Sequence, residues 1–131
     1  MTAETHFSTV SIIALGVADL GRSRAFYEAL GFKAGPGSGE QIVFFQLGGL
    51  VFSLYPRALL AEDAEVENDG QGFDGMTLAH NYPSEEAVDA AMAHALASGA
   101  TLKKEPQKVF WGGYSGYFAD PDGHLWEIAY N

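Results

Sequence analysis

The feature of this sequence that most constrains its fold is an internal repeat in the order of the predicted elements. An apolar, β-branched stretch from Val10 to Val17 predicts a buried strand, and an amphipathic helix follows it. Met76–Asn81 predicts a second strand, and another amphipathic helix follows this one. Asp19 and Ser84, the predicted N-caps, stand at equivalent positions in the two halves. The repeat predicts an α+β fold made of two βαβββ units.

Turn residues divide the rest of each half into strands. The Gly48-Gly49 pair lies between two apolar runs, which predicts a hairpin because tight hairpin turns need positive φ. Asp120-Pro121-Asp122-Gly123 has the pattern of a type I turn and joins the last two predicted strands. Two further short strands are expected at Phe32–Ala34 and at Thr101–Lys104, the latter ended by Pro106.

We expect one domain over residues 8–130, made of modules at about 8–56 and 74–130 with an acidic linker at 57–73. Each module has too few strands to shield both faces of its sheet by itself. One face takes the helix of the module. The other face must therefore meet the partner module, a ligand or a second chain.

The composition excludes several classes of function. Of 131 residues, 47% are hydrophobic and only 18% are charged, which provides the material for a core. Seven basic against seventeen acidic residues give a net charge of −10, so we expect neither nucleic acid nor an anionic membrane as a partner. The absence of cysteine excludes disulfides, catalytic thiols and cysteine-bound metals. No signal-peptide pattern or membrane-length apolar run is present, so a cytoplasmic location is expected.

Two segments carry a resemblance to a known family. They are VADLGRSRAFYEALGF from Val17 to Phe32 and GGYSGYFADPDGHLWEIAYN from Gly112 to Asn131. Together with the repeat, they resemble the vicinal oxygen chelate superfamily of glyoxalases, bleomycin-resistance proteins and ring-cleaving dioxygenases. The resemblance implies paired βαβββ modules whose strands curl into a cup. In the enzymes of this family, His, Gln or Glu side chains on the first and last strands of the modules hold a divalent metal in the cup.

The positions that correspond to the family's metal ligands are largely unsuited to a metal here. They are occupied by Ile12, Ser53, Thr77 and Glu127. Isoleucine has no donor atom, and neutral hydroxyl groups are weak ligands for transition metals, so only Glu127 keeps a ligand of the usual type. We therefore expect no metal and no other cofactor, although a metal site rebuilt from other residues stays an alternative.

Strand alternation identifies the residues that share a face with Glu127 and with the other three positions. The resulting pocket is mostly apolar, with a few hydroxyl groups and one carboxylate, as is typical of small-molecule sites. Trp111 and Tyr114 are expected at its rim. The candidate ligand-binding residues are Ile12, Ala14, Phe44, Ser53, Tyr55, Thr77, Ala79, Trp111, Tyr114 and Glu127.

Three functions are compatible with this pocket. The leading hypothesis is a glyoxalase-related protein that binds a small organic ligand without a metal. The alternative is an enzyme of the lyase or isomerase type, either metal-free with Glu127 as acid or base or with a non-standard metal site. A third possibility is an interaction module whose cup is filled by its own side chains. The family and the uncovered sheet edges also predict a homodimer.

Overall fold

The computed structural model describes residues 7–110 and 112–131, and the chain over these ranges forms two sheets and three helices. Trp111 lies outside the described residues. The first module comprises β1 (Ile12–Val17), α1 (Leu20–Leu30), β2 (Val43–Leu47) and β3 (Leu50–Pro56). A short helix, α2 (Arg57–Asp63), begins the acidic segment. The second module comprises β4 (Thr77–Asn81), α3 (Glu85–Ala97), β5 (Thr101–Lys108), β6 (Tyr114–Ala119) and β7 (Leu125–Tyr130). Among the helices described, none is long and apolar enough to cross a membrane.

The two modules have the same strand connections. The sheet orders are β1-β3-β2 and β4-β7-β6-β5. In each sheet the first strand of the module pairs in parallel with the last, and the remaining pairs are antiparallel. The strand expected at Phe32–Ala34 is reduced to a single bridge between Ala34 and Phe45. The predicted α+β fold of two repeated units is therefore confirmed.

The helix limits follow from their capping residues. The side chains of Asp19 and Ser84 accept hydrogen bonds from backbone N–H groups in the first turn of α1 and α3. These side-chain oxygens thus bind backbone N–H groups that have no acceptor within the helix. Gly31 and Gly99 follow the two helices with φ of 121° and 112°, a backbone conformation that favours glycine.

The prediction that Pro106 ends β5 is wrong, because this strand continues to Lys108. Proline is tolerated at this point since β5 is an edge strand and its register with β6 shifts between Lys104 and Gln107. Gly116 of β6 faces this irregularity, and a Cβ atom there would lie 2.7 Å from the carbonyl oxygen of Lys104. The close approach of the two strands thus depends on glycine at this position.

The two modules pack through the sheet faces that carry the helices. Phe26 of α1 lies 6.4 Å from Phe118 of β6, measured between ring centroids. Trp126 of β7 lies 6.1 Å from Tyr27 of α1 and 5.9 Å from Phe52 of β3. These rings belong to a single hydrophobic core that includes residues of α1, of α3 and of both sheets.

A buried hydrogen-bond network crosses the junction between the modules. The Tyr27 hydroxyl donates to Oδ2 of Asp120 at 2.7 Å and accepts from Nε1 of Trp126 at 3.0 Å. The same Asp120 oxygen lies 2.9 Å from Nδ1 of His124. The Asp120 side chain is completely buried, so these bonds replace its lost contacts with water. The network joins the two sequence segments on which the family resemblance rests.

Asp122 makes a second connection between the modules. Its carboxylate oxygens accept hydrogen bonds from the backbone N–H of Ala18 and from the hydroxyl of Ser23, each at 2.8 Å. The turn that presents it is closed by a bond from the Gly123 N–H to the Asp120 carbonyl at 3.0 Å, as a type I turn requires. The turn therefore binds the beginning of α1.

Hydrogen bonding within the network outweighs the effect of burial on two ionisable groups. Burial by itself acts to lower the pKa of His124, but the hydrogen bond and negative charge of Asp120 raise it above its usual value. Burial acts to raise the pKa of Asp120, but hydrogen bonds from His124 and Tyr27 lower it. The charged forms of both residues are thus stabilised by folding.

Replacing Tyr27 with Phe should destabilise the protein, because it leaves polar atoms of Asp120 and Trp126 with one hydrogen bond fewer inside the core. We expect the free energy of unfolding to fall by about 1–3 kcal/mol. Urea denaturation followed by tryptophan fluorescence measures this change. Tyr130→Phe is the matched control, since no side-chain hydrogen bond of Tyr130 is found among residues 7–110 and 112–131. Equal stability of the two variants would contradict the role given to the Tyr27 hydroxyl.

The pair of His124 and Asp120 also predicts how stability varies with pH. The pKa of His124 is higher in the folded protein than in the unfolded chain, so protonated His124 adds to the free energy of unfolding. This stabilisation is complete below the unfolded pKa of about 6.5 and is lost as pH rises through the folded pKa. The pKa of Asp120 is lowered by folding, so the ionised carboxylate adds to the free energy of unfolding above about pH 4, and this stabilisation is lost on further acidification. The stability difference between wild type and His124→Gln should therefore narrow as pH rises from about 6 to 9. Denaturation at several pH values measures it, and a difference that stays constant would refute the prediction.

Candidate functional site

The predicted site residues of the first module share the face of the first sheet that points away from the core. Ser53 of β3 pairs with Ala14 of β1 on one side and with Phe44 of β2 on the other. Ile12 and Tyr55 lie on the same face by strand alternation. Ser53 is buried at the centre of this sheet, whereas Ile12, near the edge, is 53% exposed. The face is therefore apolar and is partly open to solvent.

The predicted site residues of the second module share the corresponding face of the second sheet. Glu127 of β7 pairs with Ala79 of β4 and with Tyr117 of β6. Thr77 lies on the same face, two residues before Ala79. Glu127 is half-buried, while Thr77 and Ala79 are exposed. A single carboxylate thus stands between a small apolar side chain and a phenol.

Tyr117 is a residue of this face that was not among the predicted site residues. Partial burial, and then the charge and hydrogen-bonding capacity of Glu127, raise the pKa of the Tyr117 hydroxyl. The two residues are directly opposite each other in the pairing of β6 with β7, so their side chains lie side by side on this face. The sequence contains a signal for this pair, since the Asp120–Gly123 turn fixes the register between β6 and β7. Strand alternation counted back from the turn places Tyr117 opposite Glu127.

The expected position of Tyr114 is wrong. Tyr114 pairs with Tyr130, which places it on the face that carries α3, opposite to the face of Glu127. Its hydroxyl donates to Oδ1 of Asp89 on that helix at 2.7 Å. The bond to Asp89, followed by burial, raises the pKa of Tyr114 to about 12. Trp111, the other predicted rim residue, lies outside the described part of the chain.

The two faces that carry the candidate residues point away from each other in one chain. Phe52 and Trp126 come into contact inside the core. Side chains alternate along a strand, so their neighbours Ser53 and Glu127 lie on the outer sides of the two sheets. One chain thus brings Glu127 together with Ala79, and Ser53 together with Ala14 and Phe44. It does not bring Ser53 against Glu127, so the two halves of the expected cup lie on separate sheets.

The donor atoms at the four ligand positions do not fit a divalent transition metal. Ile12 offers none, Ser53 and Thr77 offer only hydroxyl groups, and Glu127 offers the single carboxylate. These residues are moreover divided between two sheets. No chemical step at this site is therefore assigned to a metal.

One other group has the composition of a metal site. Within the described ranges, ligand atoms of Asp120, Asp122 and His124 lie within 4.8 Å of one another. Both Asp120 oxygens already accept hydrogen bonds, and so do both oxygens of Asp122. A metal ion would have to displace the bonds that join the modules. The cluster is accordingly assigned to the stability of the fold.

Comparison with known proteins identifies the family of this fold. Residues 9–128 match the model of the Glyoxalase/Bleomycin resistance protein/Dioxygenase superfamily. No match was found among curated proteins. A glyoxalase-related enzyme from Fulvimarina pelagi has a similar structure, with a TM-score of 0.87 and 36% sequence identity over 95% of this chain and 89% of that one.

Two further structures are similar in fold at lower identity. A glyoxalase/bleomycin resistance protein/dioxygenase family enzyme from Burkholderia phytofirmans PsJN has a TM-score of 0.84 and 21% identity, covering 94% of this chain and 98% of that one. Lactoylglutathione lyase from Agrobacterium tumefaciens has a TM-score of 0.71 and 23% identity, covering 96% of both chains. The match of the family model over nearly the whole sequence confirms the resemblance carried by the two sequence segments, and the chain belongs to the glyoxalase/bleomycin resistance protein/dioxygenase superfamily.

Proposed function

We propose that the protein binds a small organic ligand on the outer face of the second sheet, around Glu127, without a metal. The observation that carries this proposal is the pair of Glu127 and Tyr117, which lie opposite each other on a face that also carries Thr77 and Asn81 of β4 and, beside Tyr117, Lys104 of β5. The carboxylate accepts hydrogen bonds and the phenol donates one, so a ligand with one polar end would be oriented by them. The net charge of −10 favours neutral or cationic ligands over anions.

The alternative function is metal-free catalysis of the lyase or isomerase type at the same place. It is supported by the description of the Fulvimarina pelagi protein as a glyoxalase-related enzyme. In this function Glu127 accepts a proton from the substrate and returns it at another position, so that no net proton is consumed. Turnover of a bound ligand distinguishes this alternative from binding alone. The cytoplasmic location expected from the sequence stays a prediction.

We also propose that two copies of the chain form a homodimer that covers these faces. β1 and β4 are edge strands with unpaired backbone groups. Beside them, Ile12 is 53% exposed and Met76 is 49% exposed, although both side chains are apolar. In a twofold dimer, the face with Ser53 in one copy can lie beside the face with Glu127 in the other. Such an assembly would reunite the two halves of the expected cup.

Ligand binding at Glu127 can be tested with benzylamine, a cationic aromatic probe, and with benzyl alcohol as its neutral analogue. Titration of the isotope-labelled protein should shift backbone NMR signals of β4, β6 and β7. In Glu127→Gln the affinity for benzylamine should fall by roughly tenfold, because the charged acceptor of the ammonium group is replaced by a neutral amide oxygen.

Glu40→Gln is the matched control, since it removes the same charge from an exposed loop of the first module. Its affinity for benzylamine should remain that of the wild type. Shifts confined to other parts of the chain, or an unchanged affinity in Glu127→Gln, would count against the proposed site.

The dimer can be tested by sedimentation equilibrium at micromolar concentration. The wild type should have twice the chain mass of 14.0 kDa. Ile12→Lys should give the monomer mass, because it places a charge at the proposed contact. Val66→Lys, at a 63% exposed position between the modules, should leave the dimer intact. A monomeric wild type would refute the assembly.

A further inference from the structure

A cavity of about 540 Å³ lies at the junction of the two modules, apart from the residues that surround Glu127. Its walls come from β1, from the segment that precedes β4, and from the beginning of β7. Most of the wall is apolar, and two side chains, Lys103 and His124, contribute basic nitrogen atoms. The lining includes the apolar side chains of Leu15, Leu78 and Leu125 and the charged or ionisable side chains of Asp74, Lys103 and His124.

His124 is held in one orientation at this cavity. Its Nδ1 lies 2.9 Å from the buried carboxylate of Asp120, which Tyr27 fixes from the other side. The buried carboxylate accepts the Nδ1 proton and, together with Asp122, raises the pKa of the imidazole, so at mildly acidic pH the ring is protonated and its Nε2–H is a hydrogen-bond donor. The imidazole is largely buried, with 15% of the side chain exposed. No residue in the described ranges supplies a hydrogen-bond partner for Nε2.

Charges of both signs lie near the imidazole, and they act in opposite directions on its protonation. Asp120 and Asp122 favour the protonated form of His124, and Arg57 disfavours it. On the cavity wall, Lys103 is likewise accompanied by Asp74. A permanently charged ligand would therefore meet one charge of each sign, whereas the apolar wall favours a molecule that is uncharged in solution and ionises only beside His124. The polar requirement that remains is a hydrogen-bond acceptor for Nε2–H of the imidazolium.

We propose that this cavity binds a small apolar molecule that carries one weakly acidic hydroxyl group, of the phenol or enol class, and that the ionised oxygen of this group accepts a hydrogen bond from Nε2–H of the protonated His124. The apolar part of the ligand packs against Leu15, Leu78 and Leu125. On binding, the ligand O–H bond breaks, its electron pair stays on oxygen, and the proton passes to a solvent water molecule. Asp120 then stabilises the imidazolium, and Lys103 stabilises the ligand oxyanion. This site is independent of the one proposed around Glu127.

4-Nitrophenol is a suitable probe because its ionised form absorbs visible light and its neutral form does not. At a pH where the free probe is mostly neutral, the wild-type protein should increase the visible absorbance in a saturable way. His124→Gln should weaken the binding by about tenfold, because a single strong hydrogen bond is lost. His94→Gln, on α3 outside this cavity, is the matched control and should bind the probe like the wild type.

A second measurement does not depend on the folding of the His124 variant. In the wild type, 4-nitrophenol should shift the imidazole NMR signals of His124, whereas 4-nitroanisole, which lacks the hydroxyl, should leave them in place. The proposal is overturned if the absorbance does not change with protein, if a folded His124→Gln binds the probe as tightly as the wild type, or if both probes shift His124 equally.

Discussion

The hydrogen bond from Tyr27 to Asp120 is the interaction on which the arrangement of the two modules depends. It links α1 of the first module to the turn of the second, and Trp126 and His124 extend it in both directions. Because the Asp120 carboxylate is completely buried, each of these bonds replaces one that water would otherwise make. The aromatic core around the network then holds the helix-bearing faces of both sheets together.

This packing has a direct consequence for function. With the helix-bearing faces turned inward, the faces that carry Ser53 and Glu127 are turned outward and lie on different sheets. The polar groups around Glu127 are therefore accessible, and among residues 7–110 and 112–131 no further strand pairs with the outer edges of β1 and β4. The proposed ligand site and the proposed dimer both follow from the same inward orientation of the helices. The cavity at His124 follows from it as well, since it lies where the modules meet.

Local sequence signals predicted most of the elements but not all of their orientations. The helix cap at Asp19 and the turn at Asp120–Gly123 each form hydrogen bonds within a few residues of sequence. Both could therefore be predicted without knowledge of the fold. The sheet face on which Tyr114 lies could not be predicted in this way, because it depends on the register between β6 and β7 and on a hydrogen bond to α3. The continuation of β5 past Pro106 was also missed, since it depends on an edge position and on Gly116 in the neighbouring strand.

The sequence by itself determined the repeat, the α+β class, the family and the poor set of metal donors at Ile12, Ser53, Thr77 and Glu127. The repeat and the fold class depend on residue type and spacing, which local chemistry is sufficient to interpret, whereas the family and the positions of the metal ligands rest on the resemblance of two sequence segments to a known family. Only the tertiary structure decided that Tyr117 accompanies Glu127, that His124 is oriented by Asp120, and that the two candidate faces point apart. Each of these depends on which sheet faces turn inward. Which faces turn inward is decided by contacts between residues far apart in the chain. These contacts bury the aromatic rings and supply the hydrogen bonds that the buried Asp120 carboxylate requires.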